Sequence, residues 1–136
     1  MAGVLVNNGE DRMLGLLVNK SGYTLAGLTL RLYKNNVTPA ETDTAATYTE
    51  ATFTGYAAVS LATGDWTLTP GNPSSAAAAQ KSFTSSADQT AQDIYGYYLT
   101  ENAANTLVAA ELFAAGPYTI ANNGDIIKVT ATITQS

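Results

Sequence analysis

Glu101 and Glu111 are the residues of this chain whose type and placement come nearest to chemistry. They bracket one hairpin, turning at Asn102–Asn105. Two carboxylates facing each other across such a hairpin are the machinery of glycoside hydrolysis. Surface carboxylates beside a turn are far commoner than catalytic pairs, and the rest of the chain supplies nothing to complete a site. Histidine and cysteine are absent. That removes the Ser-His-Asp triad, the imidazole base, the thiol nucleophile and the zinc–thiolate centre. The glycines are single and dispersed, with the spacing of neither a phosphate loop nor a dinucleotide fingerprint. Glu41, Asp43 and Asp65 are candidate oxygen ligands for calcium, but the D-x-D-x-D-G spacing of a calcium loop is missing. The chain is read as non-enzymatic, with no catalytic, metal-binding or cofactor-binding residue assigned and no cofactor expected.

What remains is surface. Eight tyrosines, three phenylalanines and one tryptophan are more aromatic side chains than one small core takes up whole. Tyrosine suits half-buried sites, apolar at the ring and wet at the hydroxyl. Tyr95 and Tyr97, two residues apart, are expected on one strand face, as a subunit interface or a platform for stacking sugars. The loop Val37–Ala46, which carries Pro39 and Glu41, is longer than a simple connection requires and is read as part of the same contact surface.

The elements that must position these residues are mostly strands. One helix is expected over Asn8–Lys20, with Asn8 as N-cap, acid at Glu10 and Asp11, Lys20 in the last turn and Gly22 after the end. Met13, Leu14, Leu17 and Val18 form its apolar stripe, and Gly15 weakens it by about 1 kcal/mol. The stripe reads as a plug over one end of a β-core in preference to a docking arm. From Leu25 the period becomes two, with Leu28, Leu30 and Leu32 alternating against Thr29, Arg31 and Tyr33. Strands are expected over Tyr48–Phe53 and Tyr56–Leu61 around a bend at Gly55, then Trp66–Thr69 with Trp66 and Leu68 inward. Further strands are Ala76–Phe83, Ile94–Leu99, Leu107–Phe113 (apolar on both faces), Tyr118–Ile120 and Asp125–Thr134. Asn122-Asn123-Gly124 reads as a type I′ hairpin turn between the last two. The expected core includes Leu30, Val59, Trp66, Leu112, Ile127 and Val129. The whole is an all-β sandwich or jelly-roll-like barrel of about eight short strands with one short N-terminal helix, in a single domain spanning 1–136.

Composition agrees with a protein that works by contact. Only 12% of residues are charged, and twenty threonines occupy polar positions instead, a β-branched choice suited to strands that lie against other protein. Net charge is −5 and the six basic residues are scattered, so no stripe exists to neutralise phosphates and nucleic acid is not an expected partner. No run approaches the ~20 apolar residues of a membrane span, and the N-terminus lacks a signal-peptide pattern. The expectation is synthesis in the cytosol without a membrane stage.

Several segments together resemble a known group. LRLYKNNVTPAETDT (30–44), FTGYA (53–57), Trp66-Thr67, IYGYYLT (94–100) and ELFAAGPYTIANNGDIIKVTATI (111–133) resemble, in the same order, small virion structural proteins of tailed bacteriophages. The resemblance covers about four-fifths of the chain, in turn and packing signatures with no chemical motif. It implies a head decoration or cementing protein that contacts the major capsid or other virion proteins, located in the virion after synthesis in the host cytoplasm. It also implies a homo-oligomer, with a trimer expected from threefold lattice positions. The alternative is a head fibre or tail-associated adhesin that binds carbohydrate through the tyrosine face.

Overall fold

The computed structural model describes residues 3–24 and 26–135. Leu25, where the alternation is expected to begin, lies outside them. In chain order come β1 (Val4–Leu5), α1 (Asn7–Leu17), β2 (Leu28–Tyr33), β3 (Val59–Leu61), β4 (Trp66–Thr69), β5 (Ser75–Ala78) and β6 (Lys81–Thr84). Then follow β7 (Gln92–Ile94), β8 (Gly96–Glu101), β9 (Leu107–Leu112), β10 (Tyr118–Ile120), β11 (Ile126–Val129) and β12 (Thr132–Thr134). The protein is an all-β sandwich with a short N-terminal helix, as its alternating segments predict.

One layer is a five-stranded antiparallel sheet in the order β1-β9-β8-β2-β3. The other is three small antiparallel sheets, β10-β7, β11-β6 and β12-β5-β4. Leu30, Leu32, Leu99 and Ala109 of the large sheet meet Ala78, Phe83, Ile94, Ile120, Ile127, Val129 and Ala131 of the small ones in the main core. Between Leu99↔Ala109 and Thr100↔Leu107 the register slips by one residue, a bulge at Val108. Val108 and Ala109 therefore both turn to the main core, while Leu107 and Ala110 turn to the opposite face of the sheet. That opposite face is also covered, which is why β9 reads as apolar on both sides.

Several expected strands are divided because the chain changes sheets. The 125–134 run keeps its inward set of Ile127, Val129 and Ala131, but β11 pairs with β6 and β12 with β5. Ala76–Phe83 likewise splits into β5 and β6. The Asn122–Gly124 turn is not a hairpin, since β10 pairs with β7 and β11 with β6. Type I′ geometry needs two residues at positive φ, and only Gly124, at +90°, has it here. The Asp125 carboxylate closes this corner by accepting the backbone N–H groups of Ala121 and Asn122, at 2.9 and 2.8 Å. These bonds hold its pKa below the usual carboxylate range.

Residues 48–53 form no strand; they make an isolated bridge, Glu50 to Tyr33, with bonds from Ala51 N–H to Leu32 and from Lys34 N–H to Thr49 beside it. In the expected core, Leu30, Ile127 and Val129 are buried, Val59 and Trp66 are half-buried at its margin, and Leu112 is half-buried on the opposite face of the large sheet. Leu68 is 75% exposed although it shares the strand face of Trp66, because the core that covers Trp66 does not extend to it.

The helix begins earlier and ends earlier than expected. Val6, fully buried, is its N-cap without a side-chain bond, so Asn8 lies inside the first turn. Its end is closed at Asn19, whose φ of 51° lets the Lys20 N–H reach the Gly15 carbonyl at 2.9 Å. The face against the sheet is built from glycine. A Cβ on Gly9 would stand 2.4 Å from the Val108 carbonyl oxygen, and one on Gly15 would stand 2.3 Å from the Tyr23 ring. The helix backbone thus lies directly on β9 and on the Tyr23 ring.

Candidate interaction surface

The tyrosines expected outside are mostly inside. Tyr97 is 3% exposed in the main core, its hydroxyl donating to Glu111 Oε2 at 2.7 Å and accepting the Thr132 N–H at 3.0 Å. Tyr95 does not share its face. Ile94 and Tyr97 both enter the main core, while Tyr95 packs beside Tyr98 on the other side of the sheet. The alternation slips at this corner because β7 belongs to a small sheet and β8 to the large one. No Tyr95/Tyr97 platform exists, and the sugar-stacking role given to it falls with it.

The Val37–Ala46 loop is turned inward as well. Tyr33 and Tyr98, projecting from β2 and β8, stack with Tyr48 from the end of this loop at ring distances of 4.8 and 5.2 Å. Val37 and Ala45 pack on the same cluster with Val6 and Leu107. The loop is pinned by polar bonds along its length. Asp43 accepts the Ala40 N–H and the Tyr48 hydroxyl, and the Asn35 side chain bridges Thr47 and Thr49. The Glu41 carbonyl accepts the Asn7 N–H at 2.9 Å. Of the residues expected to contact a partner, Val37 and Pro39 are half-buried and only Glu41 is exposed. The loop is long because it covers a sheet face. Desolvation raises the pKa of Tyr98 to about 12 and those of Tyr33, Tyr48, Tyr56 and Tyr97 further.

The carboxylates are similarly engaged. Glu111 lies opposite Tyr97, four residues from Glu101 along β8, and accepts the Tyr97 hydroxyl, so the two carboxylates are bound to separate partners. Glu101 is 3% exposed, and its Oε1 accepts the N–H groups of Ala103 and Ala104. Its Oε2 lies 3.1 Å from Arg12 Nη2, an ion pair without the alignment of a directed hydrogen bond. Arg12 also lies over the Tyr23 ring at 5.4 Å, and the Tyr23 hydroxyl donates to Asp11. This set ties α1 to the end of the β8–β9 hairpin. Glu50 accepts from Arg31 and from the Tyr56 hydroxyl. Asp65 is paired with Lys81 at 2.9 Å and Asp43 with Tyr48, so two of the three candidate calcium ligands have separate partners. Among the described residues no three acidic side chains converge on a metal position.

The surface that the sequence reading missed is the outward side of α1. Leu14, Leu17 and Val18 are 62, 81 and 67% exposed, and Leu68 on β4 is 75% exposed. Met13, half-buried, lines three hollows beside the helix, two of them opening on these apolar residues. One, of about 340 Å³, is shared with Leu68, Pro70, Ala76 and Ile133. The other, of about 350 Å³, is shared with Leu5, Glu10 and Leu14. Gly9 and Gly15 carried the missing signal. Two glycines on one side of a short helix mark the side that approaches other backbone, which leaves the Leu14–Val18 side outward. No helix among the described residues is long and apolar enough to cross a membrane. No protein-family model and no curated protein sequence matches this chain.

Proposed function

We propose that this protein is a structural component of a tailed-phage virion, a capsid decoration or cementing protein that acts in many copies through protein–protein contacts. The observation that carries the reading is how the side chains are spent. Tyr33, Tyr48, Tyr97, Tyr98 and Glu101 are engaged within the fold, while six large apolar side chains among the described residues, Leu14, Leu17, Val18, Leu68, Tyr118 and Ile126, stand in water. A cementing protein needs that kind of surface, since clamping neighbouring subunits requires complementary area of ~800 Å² per partner and no chemistry. The sequence likeness to phage virion proteins supplies the setting. Nucleic acid has no place in this reading. Three of the six cations, Arg12, Arg31 and Lys81, are held in internal ion pairs, which leaves little positive charge for phosphate.

The test is co-sedimentation of purified protein with empty tailed-phage capsids. Saturable binding at a fixed number of copies per capsid is the expected result. Recovery of all the protein in the supernatant at every concentration would overturn the proposal.

A further inference from the structure

We propose that the outward face of α1 is a homotypic contact, on which two copies of this chain pair their helices antiparallel across a two-fold axis. The argument starts from the order of residues on that face. Asn7, Glu10 and Asp11 occupy its first half, Leu14, Leu17 and Val18 its second half, and Lys20 follows in the closing turn. An axis passing between Gly15 and Leu16 brings Leu14 of one copy onto Leu17 of the other. The same axis brings Glu10 and Asp11, the latter already accepting the Tyr23 hydroxyl, to the level of Lys20 in the closing turn of the second copy. The apolar residues thus meet in the middle, and opposite charges meet at both ends.

Other features fit the same occupant. Neither Glu10 nor Lys20 takes part in an ion pair among the described residues, so both charges are available. Antiparallel helices also set each positive N-terminal dipole end against a negative C-terminal end. A chain of net charge −5 meets a general repulsion from its own copy. Acid at the start of this helix and base just past its end stand in the order that a two-fold axis satisfies. The hollow lined by Met13, Leu68, Pro70 and Ile133 continues the apolar surface beyond the helix. A helix of 11 residues is only ~16 Å long, so the pairing is weak unless this flank joins it. The contact is two-fold, in place of the threefold that the family resemblance implies. It does not depend on the virion role.

The experiment is sedimentation equilibrium of the full chain from ~10 μM to ~0.5 mM, a range that captures weak dimers. A monomer–dimer equilibrium is expected. Leu17→Asp should weaken it ~10-fold or more, with circular dichroism unchanged because the side chain is already in water. Glu10→Lys and Lys20→Glu should each weaken it about threefold, and the double exchange should restore it. A monomer at every concentration, or a dimer indifferent to Leu17→Asp, would overturn the proposal. A double exchange no better than the single ones would overturn the antiparallel pairing. If the chain stays monomeric yet binds capsids through Leu17, the homotypic contact fails while the cementing role stands.

Discussion

Two regions exchange roles between the sequence and the fold. The Tyr95–Tyr98 stretch, with the 37–46 loop, reads as a partner surface and is interior; the N-terminal helix reads as a plug and presents an apolar face to water. The cause is the same in both places. A five-stranded sheet has two faces, and the small sheets cover only one. The 37–48 segment covers the other, taking Tyr33, Tyr48 and Tyr98 out of solvent. Such a loop removes aromatic surface that alternation alone would leave exposed. The helix meets the sheet through Gly9 and the Tyr23 ring through Gly15, whose lack of a side chain permits the closest approach. Its bulkier residues are thereby directed away. Size and hydrophobicity therefore mislead about facing wherever backbone packs on backbone.

The largest effect expected from this comparison is alkaline unfolding. Tyr33, Tyr48, Tyr56, Tyr97 and Tyr98 all have folded pKa values raised above the ordinary 10, with burial as the main cause. The unfolded chain releases these protons first. Their contribution is complete below about pH 10 and is lost as the pH rises through the folded values, so stability falls across that window. Absorbance of tyrosinate should show these five titrating only together with loss of structure, in one cooperative step above pH 10. Gradual titration of Tyr33, Tyr48 and Tyr98 near pH 10 with the fold intact would mean that the 37–48 cover is open in solution.

How much was legible follows from which residues set each feature. Period-two runs gave the strands of the sandwich and the inward set Ile127, Val129 and Ala131, because burial on one face is a local property of sequence. Strand partners were not legible. The 125–134 run alternates from Ile127 onward, yet it serves two sheets, and its division at Ala131 depends on where β5 and β6 lie. The Val108 bulge is invisible for the same reason, since it is a relation between strands. At the candidate surface, Tyr97 was misplaced because a tyrosine satisfied by Glu111 and Thr132 looks the same in sequence as one satisfied by water. Arg12 carried no signal at all. Its partner, Glu101, is 89 residues away.

Arg12→Ala should have the next effect. It removes the cation facing a carboxylate that is itself buried, and breaking a buried pair from one side costs about 3–5 kcal/mol. The Arg12 side chain is 21% exposed, so water relieves part of this and about 2–3 kcal/mol is expected from urea unfolding. Adding Glu101→Gln should recover part of the loss, because the stranded charge is gone while the bonds from Ala103 and Ala104 still have an acceptor. A loss under ~0.5 kcal/mol would show that α1 is held by its glycine contacts alone.

The smallest effect belongs to the other side of the same helix. Leu17→Ser removes a large apolar side chain, a change that costs about 2–5 kcal/mol in a core. Leu17 is 81% exposed, so unfolding returns almost no additional surface of it to water. Only helix propensity is left, and at the last helical position it contributes ~0.5 kcal/mol or less. Urea unfolding at low protein concentration, where copies do not meet, should therefore find the variant within ~0.5 kcal/mol of the parent. A loss above ~2 kcal/mol would place Leu17 against the body of the same molecule, as a plug over the β-core requires. Near-neutral stability together with lost self-association would separate a residue kept for contact from one kept for folding.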